Sequence, residues 1–531
     1  MLTAAKTKNV SFKAFSLERC LYTADSALQR FALLAAALVI LVFCGWVWLN
    51  SNALRLRYDE LLEVEAASAP TVHQLLSYLA AGVDYNPPLS HLLVRSSMAV
   101  FGTADWAPRL PSFLGVLLCL ICLYRVISQW LSPKYGVLSI LWIICSPVRI
   151  HAGEARPYGL VLGLTGLALI FYQHVTKRRR NVPALVAFAI CNACLAASHY
   201  YAVLVISPFL LAEAARVWKS RQWNWPLLAC IIAPPFIVFA FLRDAIRSQH
   251  VQLAHYFSRG NLLSFNHGYE VLELDPLIYG IALTLLAGAV LAVIRKDQPV
   301  VRINRGSFES PGLLLGIGLL LLPLEGAVCT QFITHAYVSR YFLPAEIGSA
   351  ICVCYLAEFA ARFIPGTAVA LIVALSINFG NIMAQQLSHP ASSSPPGAPL
   401  YGAQTPILFD SPEDYLRVLH YEPDFWSKML VIADPAASMR ARQYDTDDKI
   451  MLALASEGRV QTTTLSTAAR QWSHFSLVPR PQEYTAVLQC LVNAGGRVTL
   501  VRGFAASNFL FDVVVPPENL GRLDTCASTA P

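Results

Sequence analysis

Two adjacent carboxylates, Asp59 and Glu60, follow the first apolar run of a chain that is otherwise largely hydrophobic. Carboxylates beside a bilayer are costly, so they are functional candidates. A carboxylate in a partly dry pocket can take a proton from an incoming hydroxyl or amine. Two such groups can divide the work, one acting as base and the other holding an acceptor, a partner or a metal ion. The alternative is an ordinary solvated loop next to the membrane.

A second motif, residues 154–158, lies between two later apolar runs and contains Glu154, Arg156 and Tyr158. Arginine makes planar, charge-assisted bonds to phosphate that no neutral side chain matches. The motif therefore indicates an anion site. An ion pair between Glu154 and Arg156, or an arginine bound to lipid headgroups, are the structural alternatives.

Arg340 and Tyr341 stand where the chain enters a late apolar run. An arginine at that point must be solvated, paired or bound to an anion. Early in the chain, Pro87-Pro88 predicts a rigid helix start that would fix Asn86 and His91 relative to the carboxylates. His199 is flanked by tyrosines, a pattern more typical of an interfacial aromatic belt than of a catalyst. No pair of residues has convincing spacing for zinc.

The composition defines the class of protein that carries these motifs. Of the 531 residues, 56% are hydrophobic and only 14% are charged, whereas soluble proteins have about a quarter of their residues charged. We therefore expect a polytopic α-helical membrane protein. The net charge of +7 arises from basic residues between apolar runs, where they set topology, so no nucleic-acid role is assigned.

Hydropathy predicts about eleven membrane spans. The first is a retained helix, because it is long enough to span and lacks a clear cleavage site. Nearly every short basic cluster falls on one side if the N-terminus is cytoplasmic, and an odd count then leaves the C-terminus outside. The approximate cores are 31–49, 110–130, 136–149, 158–174, 184–197, 201–215, 226–242, 276–294, 311–332, 341–360 and 365–384.

From about residue 386 the character of the chain changes. A Ser/Pro-rich linker near 388–397 precedes predicted strands at 429–434, 497–501 and 511–515 and a predicted helix at 411–419. We expect a membrane domain, 1–385, and a small extracytoplasmic α/β domain, 386–531. In an oxidising compartment Cys490 and Cys526 could form a disulfide, but the sequence does not establish their distance.

The order of the motifs resembles that of the GT-C superfamily of polyprenyl-phosphate-sugar-dependent glycosyltransferases. The groups most similar are the protein O-mannosyltransferases and the bacterial aminoarabinose transferases. The resemblance covers roughly residues 30–385. The motifs, in chain order, are Asp59-Glu60, Pro87-Pro88-Leu89, Phe101-Gly102, Arg109-Leu110-Pro111-Ser112, Glu154-Ala155-Arg156-Pro157-Tyr158, His199-Tyr200 and Arg340-Tyr341.

The resemblance implies inverting transfer of a sugar from a polyprenyl-phosphate donor to a lipid, glycan or protein acceptor on the outer face. By resemblance Asp59 is the base or acceptor-binding carboxylate, and Glu60 contacts acceptor or metal. Arg156 and Arg340 are donor-phosphate ligands, with Glu154 orienting Arg156. No cofactor is implied firmly, and a divalent metal ion stays open. Further substrate-binding candidates are Tyr341, Asn86, His91, His199 and Tyr158.

Two positions depart from the family pattern. Asn86 stands where members often have histidine, and Gly153 where they often have glutamine, so roles that rest on those side chains do not transfer. A transporter or flippase for a lipid-linked sugar is one alternative, although we find no internal repeat of the kind transporters show. A membrane scaffold is another. The short loops and external domain are typical of a bacterial inner-membrane protein facing the periplasm.

Overall fold

The computed structural model describes residues 2–177, 181–252, 258, 260–295, 311–387, 400, 405–480, 484–504, 508–521 and 523. Helices dominate the chain up to residue 387. They are α1 Leu2–Ala53, α2 Tyr58–Ala67, α3 Val72–Ala80, α4 Pro88–Phe101, α5 Trp106–Trp130, α6 Pro133–Cys145, α7 Val148–His151, α8 Tyr158–Lys177, α9 Val182–Ser198, α10 Ile206–Ser220, α11 Trp225–Phe241, α12 Arg243–Gln252, α13 Phe265–Gly268, α14 Pro276–Ile294, α15 Pro311–Leu320, α16 Leu322–Cys329, α17 Pro344–Ala361 and α18 Thr367–Leu387.

Long apolar helices make this an integral membrane protein. Among the described residues, seven helices are long and apolar enough to cross a bilayer, and nine if two bent pairs each count as one span. The bends, of 69° and 44°, lie between α11 and α12 and between α15 and α16. Two shorter apolar helices, α6 and α9, coincide with the short predicted spans at 136–149 and 184–197. The count of eleven spans stays a prediction.

The C-terminal part contains a six-stranded sheet with the strand order β3-β2-β1-β4-β6-β5. β1 pairs in parallel with β2 and β4, and β2 with β3, whereas β4, β6 and β5 pair antiparallel. The predicted strands overlap β2, β5 and β6, and the predicted helix overlaps α19. The elements are β1 Ile407–Phe409, α19 Pro412–Tyr421, β2 Met429–Ile432, α20 Pro435–Arg442, α21 Thr446–Ser456, β3 Thr462–Thr463, α22 Leu465–Gln471, β4 His474–Val478, α23 Tyr484–Asn493, β5 Arg497–Phe504 and β6 Asn508–Val514.

The boundary between the two predicted domains falls at the end of α18, and the predicted linker at 388–397 lies outside the described residues. Cys490 is disulfide-bonded. Its predicted partner, Cys526, also lies outside the described residues, so that pairing stays a prediction.

The sheet domain packs on the segment that follows α1. Leu61 and Val64 of α2 and Leu75 of α3 share one hydrophobic core with Ile407 and Met429 of the sheet. This shared core, here called the outer core, joins parts of the chain that are far apart in sequence.

Polar bonds reinforce the outer core and determine sidedness. The Leu56 amide donates to the Tyr421 hydroxyl at 2.8 Å, and Arg459 Nη2 lies 2.7 Å from Glu65 Oε2. The segment after α1 and the sheet domain therefore lie on the same side of the membrane. An even number of crossings must separate them, so the total number of spans is odd.

The backbones of α5 and α8 touch. A Cβ added at Gly115 would lie 2.3 Å from the Gly159 carbonyl oxygen, and one added at Gly159 would lie 2.2 Å from that of Ser112. Small residues permit such close helix packing in membranes. Because Arg109 lies near the start of α5 and Arg156 just before α8, this contact fixes the spacing of two site arginines.

Candidate active site

Glu60 lies at the centre of a buried structural clamp. Its oxygens accept from Arg109 Nε at 2.7 Å and Nη2 at 2.9 Å, and from the Ala155 amide at 2.8 Å. The Arg57 amide adds a fourth bond of 2.9 Å at the start of α2. Arg109 also donates to three carbonyl groups at the end of α1, those of Ser51, Leu54 and Arg55.

These contacts use the hydrogen-bonding capacity of Glu60 within the protein. A carboxylate has about four acceptor positions, and Glu60, only 2% exposed, accepts four bonds. The contact with acceptor or metal that the sequence predicts for Glu60 is not among them. The clamp instead joins α1, α2, α5 and the loop before α8.

Asp59 points away from the clamp and pairs with Arg340. Arg340 Nη2 lies 2.5 Å from Asp59 Oδ2, and the two side chains are 31% and 37% exposed. The residues are 281 positions apart in sequence. The structure therefore brings the predicted base next to one predicted phosphate ligand, with both accessible from outside.

Arg156 is held by Asp84, a residue that the motifs did not single out. Arg156 Nη1 donates to Asp84 Oδ2 at 2.6 Å and to the Asp59 carbonyl at 2.8 Å. Asn86 Nδ2 donates to Asp84 Oδ1 at 2.7 Å. Burial opposes ionisation of Asp84, but Arg156 and His91 outweigh it and hold the pKa of Asp84 below its usual value. Asp84 and Arg156 thus form a charged pair behind Asp59.

The predicted orientation of Arg156 by Glu154 is corrected by the structure. Glu154 accepts from Arg57 Nη1 at 2.9 Å and contacts His151 Nδ1 at 2.6 Å. Burial favours the neutral acid, but the bond with His151 and the charge of Arg57 outweigh it and lower the pKa of Glu154. The turn at 154–156 directs the Arg156 side chain to Asp84 instead.

Aromatic rings lie next to the two arginines. Arg340 lies over the Tyr158 ring, 5.8 Å from its centroid, a cation–π distance. The Tyr341 ring lies 4.7 Å from His199 and 5.2 Å from Tyr201. His199 is 5% exposed, and its Nδ1 accepts from the Tyr201 amide at 3.2 Å. These contacts place His199 in the packing beneath the arginines.

Asp59, Asn86, Arg156, Arg340 and Tyr341 open onto one cleft. It measures about 490 Å³ with its open mouth included. One wall comes from α21 of the sheet domain. The lining residues are Tyr58, Asp59, Leu62, Val83, Asp84, Tyr85, Asn86, Arg156, Arg340, Tyr341, Thr446, Asp447 and Ile450.

His91 does not line this cleft. It is fully buried beside Glu63 and Asp84, and these three side chains are the described residues with an arrangement that could hold a metal ion. Glu60 and Glu154 also lie outside the lining, as do Tyr158 and His199.

Three residues that matter here were not found from the sequence. Glu63 follows Asp59 by one helical turn, a spacing that puts both carboxylates on one face of α2. Asp84 stands three positions before the proline pair and has the same acidic character as the residues that were selected. Asp447 gave no signal, because only the packing of the sheet domain brings it to the cleft.

Comparisons with known proteins show which family and which folds this chain resembles. The family model for dolichyl-phosphate-mannose-protein mannosyltransferase matches residues 85–241, a stretch that contains Asn86, Arg156 and His199. A comparison with curated proteins gave no match.

Solved structures extend the likeness of fold. The crystal structure of ArnT from Cupriavidus metallidurans bound to undecaprenyl phosphate has a TM-score of 0.57 at 13% identity and covers 90% of this chain and 97% of its own. The crystal structure of the same protein in the apo state has a TM-score of 0.46 at 14% identity, and the match covers 92% of this chain and 98% of that one. The structure of the Archaeoglobus fulgidus oligosaccharyltransferase in complex with Zn and sulfate has a TM-score of 0.43 at 12% identity, and the match covers 90% of this chain and 72% of that one. The family match and the shared fold confirm that this chain resembles the GT-C superfamily of polyprenyl-phosphate-sugar glycosyltransferases.

Proposed function

We propose that this protein transfers a sugar from a polyprenyl-phosphate donor to an acceptor at the outer face of a membrane, with inversion at the sugar carbon. One observation carries the proposal: Asp59, a carboxylate base, pairs with Arg340 at the mouth of a cleft that also contains Arg156. The same site thus offers a proton acceptor and two cations for a leaving phosphate. The family match supports glycosyl transfer, and neither comparison supports a transporter.

The reaction follows from these groups. An acceptor hydroxyl or amine attacks the sugar carbon while the bond from that carbon to the phosphate oxygen breaks, and the polyprenyl phosphate leaves with the bonding electrons. Asp59 takes the acceptor's proton. Arg340 and Arg156 stabilise the charge on the departing phosphate. Arg340 is paired with Asp59 before the donor binds. When the Arg340 side chain moves from Asp59 to the donor phosphate, the Asp59 carboxylate becomes available as a base.

The ligand in the ArnT structure supports a polyprenyl-phosphate donor. ArnT, which shares the fold, binds undecaprenyl phosphate. Exposed apolar side chains on the described spans, such as Leu33, Leu38 and Leu41 of α1, suit contact with lipid. We assign the donor tail to the bilayer and its phosphate to the two arginines.

Sidedness supports an outer, oxidising compartment for the site. Lys134 lies at the start of α6 and pairs with Asp25 of α1 at 2.6 Å, and basic residues at helix ends are expected on the cytoplasmic face. Cys490 of the sheet domain is disulfide-bonded, and structural disulfides persist in oxidising compartments. We infer a bacterial inner-membrane protein with a cytoplasmic N-terminus and a periplasmic sheet domain.

Replacing Arg340 with glutamine tests the donor assignment. Membranes with wild-type protein are expected to transfer radiolabelled sugar from at least one of a panel of polyprenyl-phosphate sugars. Arg340→Gln should lower that transfer by roughly a hundredfold or more, the scale for loss of one preorganised group that stabilises transition-state charge. Arg243→Gln, which changes an arginine 72% exposed on α12, is the matched control. Equal transfer by Arg340→Gln and wild type would remove Arg340 from donor chemistry.

We propose that the acceptor enters along the wall formed by the sheet domain. Asp447 Oδ2 accepts from Arg480 Nη1 at 2.7 Å, and Tyr58, the neighbour of Asp59, donates to Asp447 Oδ1 at 3.3 Å. Asp447 thus connects the wall to α2 beside the base. A lipid, a glycan or a protein remains possible as acceptor, since the specificity of a site rests on a few bonds in its pocket.

Asp447→Asn is expected to raise the KM for the acceptor about tenfold, because it removes a charge-assisted bond worth about 1.5–3 kcal/mol. The KM for the donor should not change. Steady-state transfer at varied acceptor and donor concentrations measures both constants. Asp424→Asn alters an exposed carboxylate of the same domain and is the control. A rise confined to the donor KM would contradict this assignment of the wall.

A further inference from the structure

A buried cluster lies behind the cleft, formed by Glu63 of α2, Asp84 of the following loop and His91 of α4. The side chains of Glu63 and His91 are 0% exposed, and that of Asp84 is 4% exposed. His91 Nε2 lies 3.6 Å from Glu63 Oε2 and 3.5 Å from Asp84 Oδ2. None of the three side chains has a role in the proposed proton transfer.

The spacing of these atoms fits a bound ion better than direct bonds. Hydrogen bonds between nitrogen and oxygen span about 2.7–3.2 Å, shorter than either distance. Two ligands of a tetrahedral ion, each at roughly 2.0–2.1 Å from it, lie about 3.3–3.4 Å apart. The two distances from His91 Nε2 exceed that separation by only a few tenths of an ångström, and all three ligand atoms lie within 4.8 Å of one another.

The hydrogen bonding of the cluster also favours a cation. Among the described residues, no group hydrogen-bonds either oxygen of Glu63 or Nε2 of His91. Burial raises the pKa of Glu63, and the nearby Ser90 hydroxyl only opposes that rise. Buried polar atoms without partners are costly, and buried carboxylates are normally paired or bound to metal.

The orientation of the His91 ring points the same way. His91 Nδ1 lies 3.3 Å from the Pro87 carbonyl and 3.4 Å from the Ser90 hydroxyl, and the tautomer that donates to the carbonyl carries its hydrogen on Nδ1. The lone pair of a neutral ring then lies on Nε2 and faces two carboxylates. Such a backbone contact is how metal-binding histidines are commonly fixed in one tautomer.

We propose that Glu63, Asp84 and His91 bind one divalent transition-metal ion of the zinc class. Two carboxylate oxygens and one imidazole nitrogen form a donor set suited to such an ion, with a fourth position for water. Asp84 would be shared between the ion and Arg156, whose Nη1 lies 2.6 Å from Asp84 Oδ2 and 3.6 Å from Glu63 Oε2. The ion would thus lie directly behind a proposed phosphate ligand.

A retained proton is the competing occupant. Burial raises the pKa of Glu63, and Asp84 adds to that effect. Burial lowers the pKa of His91, but Glu63 and Asp84 outweigh it, so that pKa is raised as well. A proton held between Glu63 and His91 would balance the charge without any metal, and the experiment must separate the two.

Metal content of the purified full-length protein in detergent separates them. The protein is exposed to Zn²⁺ or Co²⁺, desalted and analysed by inductively coupled plasma mass spectrometry, and the Co²⁺ form by visible absorption. We expect about one ion per chain, the stoichiometry of one closed site, and a cobalt spectrum typical of low coordination number. His91→Gln and Glu63→Gln should each lose the ion.

Two variants provide matched controls. His267→Gln changes a histidine that is 75% exposed and paired with Glu270, and Glu65→Gln changes a carboxylate two positions from Glu63. Both should retain the ion. Wild-type protein without bound Zn²⁺ or Co²⁺ would overturn the proposal whatever the variants do, and so would equal metal content in the cluster variants. Because no donor or acceptor is present, either failure leaves the proposed transfer reaction untouched.

Discussion

Replacing Asp59 with asparagine is expected to lower sugar transfer by roughly a hundredfold or more while the protein remains folded. Asparagine keeps the size of the side chain but cannot accept the acceptor's proton, and loss of a general base costs about 10²–10⁴ in rate. Asp59 is 37% exposed and its side chain forms an ion pair with Arg340 at the mouth of the cleft, so its loss should disturb the packing little. Transfer from the active donor to membrane extracts measures the effect.

Asp244→Asn is the control for this experiment, because Asp244 is an 81% exposed carboxylate in an outer segment. The control should transfer sugar at the wild-type rate. Asp59→Asn protein should elute from gel filtration in detergent as wild type does. Full activity of Asp59→Asn would exclude Asp59 as the base.

Glu60→Gln is expected to act on stability, in contrast to its neighbour. It would leave the Arg109 charge buried without its ionic partner, a loss of about 3–5 kcal/mol for a buried pair. It also weakens the bonds to the amides of Ala155 and Arg57. We expect a clear fall in the midpoint of thermal unfolding in detergent, and a loss of transfer that follows the loss of folded protein.

The comparison of Glu60→Gln with Asp59→Asn gives the decisive contrast. The two carboxylates are adjacent in sequence, but we expect Asp59→Asn to be folded and inactive and Glu60→Gln to be unstable. If Glu60→Gln unfolds at the wild-type temperature yet loses transfer, Glu60 acts in the chemistry, and the clamp does not account for its contribution.

Much of the site was accessible from the sequence, because motif order and loop sidedness place Asp59, Arg156 and Arg340 at one face. The clamp could not be predicted from the sequence, because the role of Glu60 depends on its contact with Arg109, which lies near the start of α5. The same limit explains Glu154. The sequence predicts that Glu154 orients Arg156 because both residues lie in one motif. The turn at 154–156 instead directs the Arg156 side chain to Asp84, to which it donates a hydrogen bond.

The fold was accessible to a similar degree. Apolar runs locate the membrane helices, but they do not reveal the 69° bend between α11 and α12. A continuous apolar run that ends in a turn located the strand at 429–434 in the sheet domain. Hydropathy divided the chain near residue 385, yet the outer core contains α2 and α3 together with the sheet, because burial there depends on contacts between residues hundreds of positions apart.

The outer core also has a consequence for biosynthesis. Its first half, around α2, emerges early from the ribosome, whereas its second half, the sheet, is translated last. The proposed base therefore remains beside an incomplete wall until the ribosome has nearly finished, and a prematurely terminated chain keeps its membrane helices without a complete cleft. Completion of synthesis is therefore a condition for a complete cleft, to which Thr446, Asp447 and Ile450 of the sheet domain contribute.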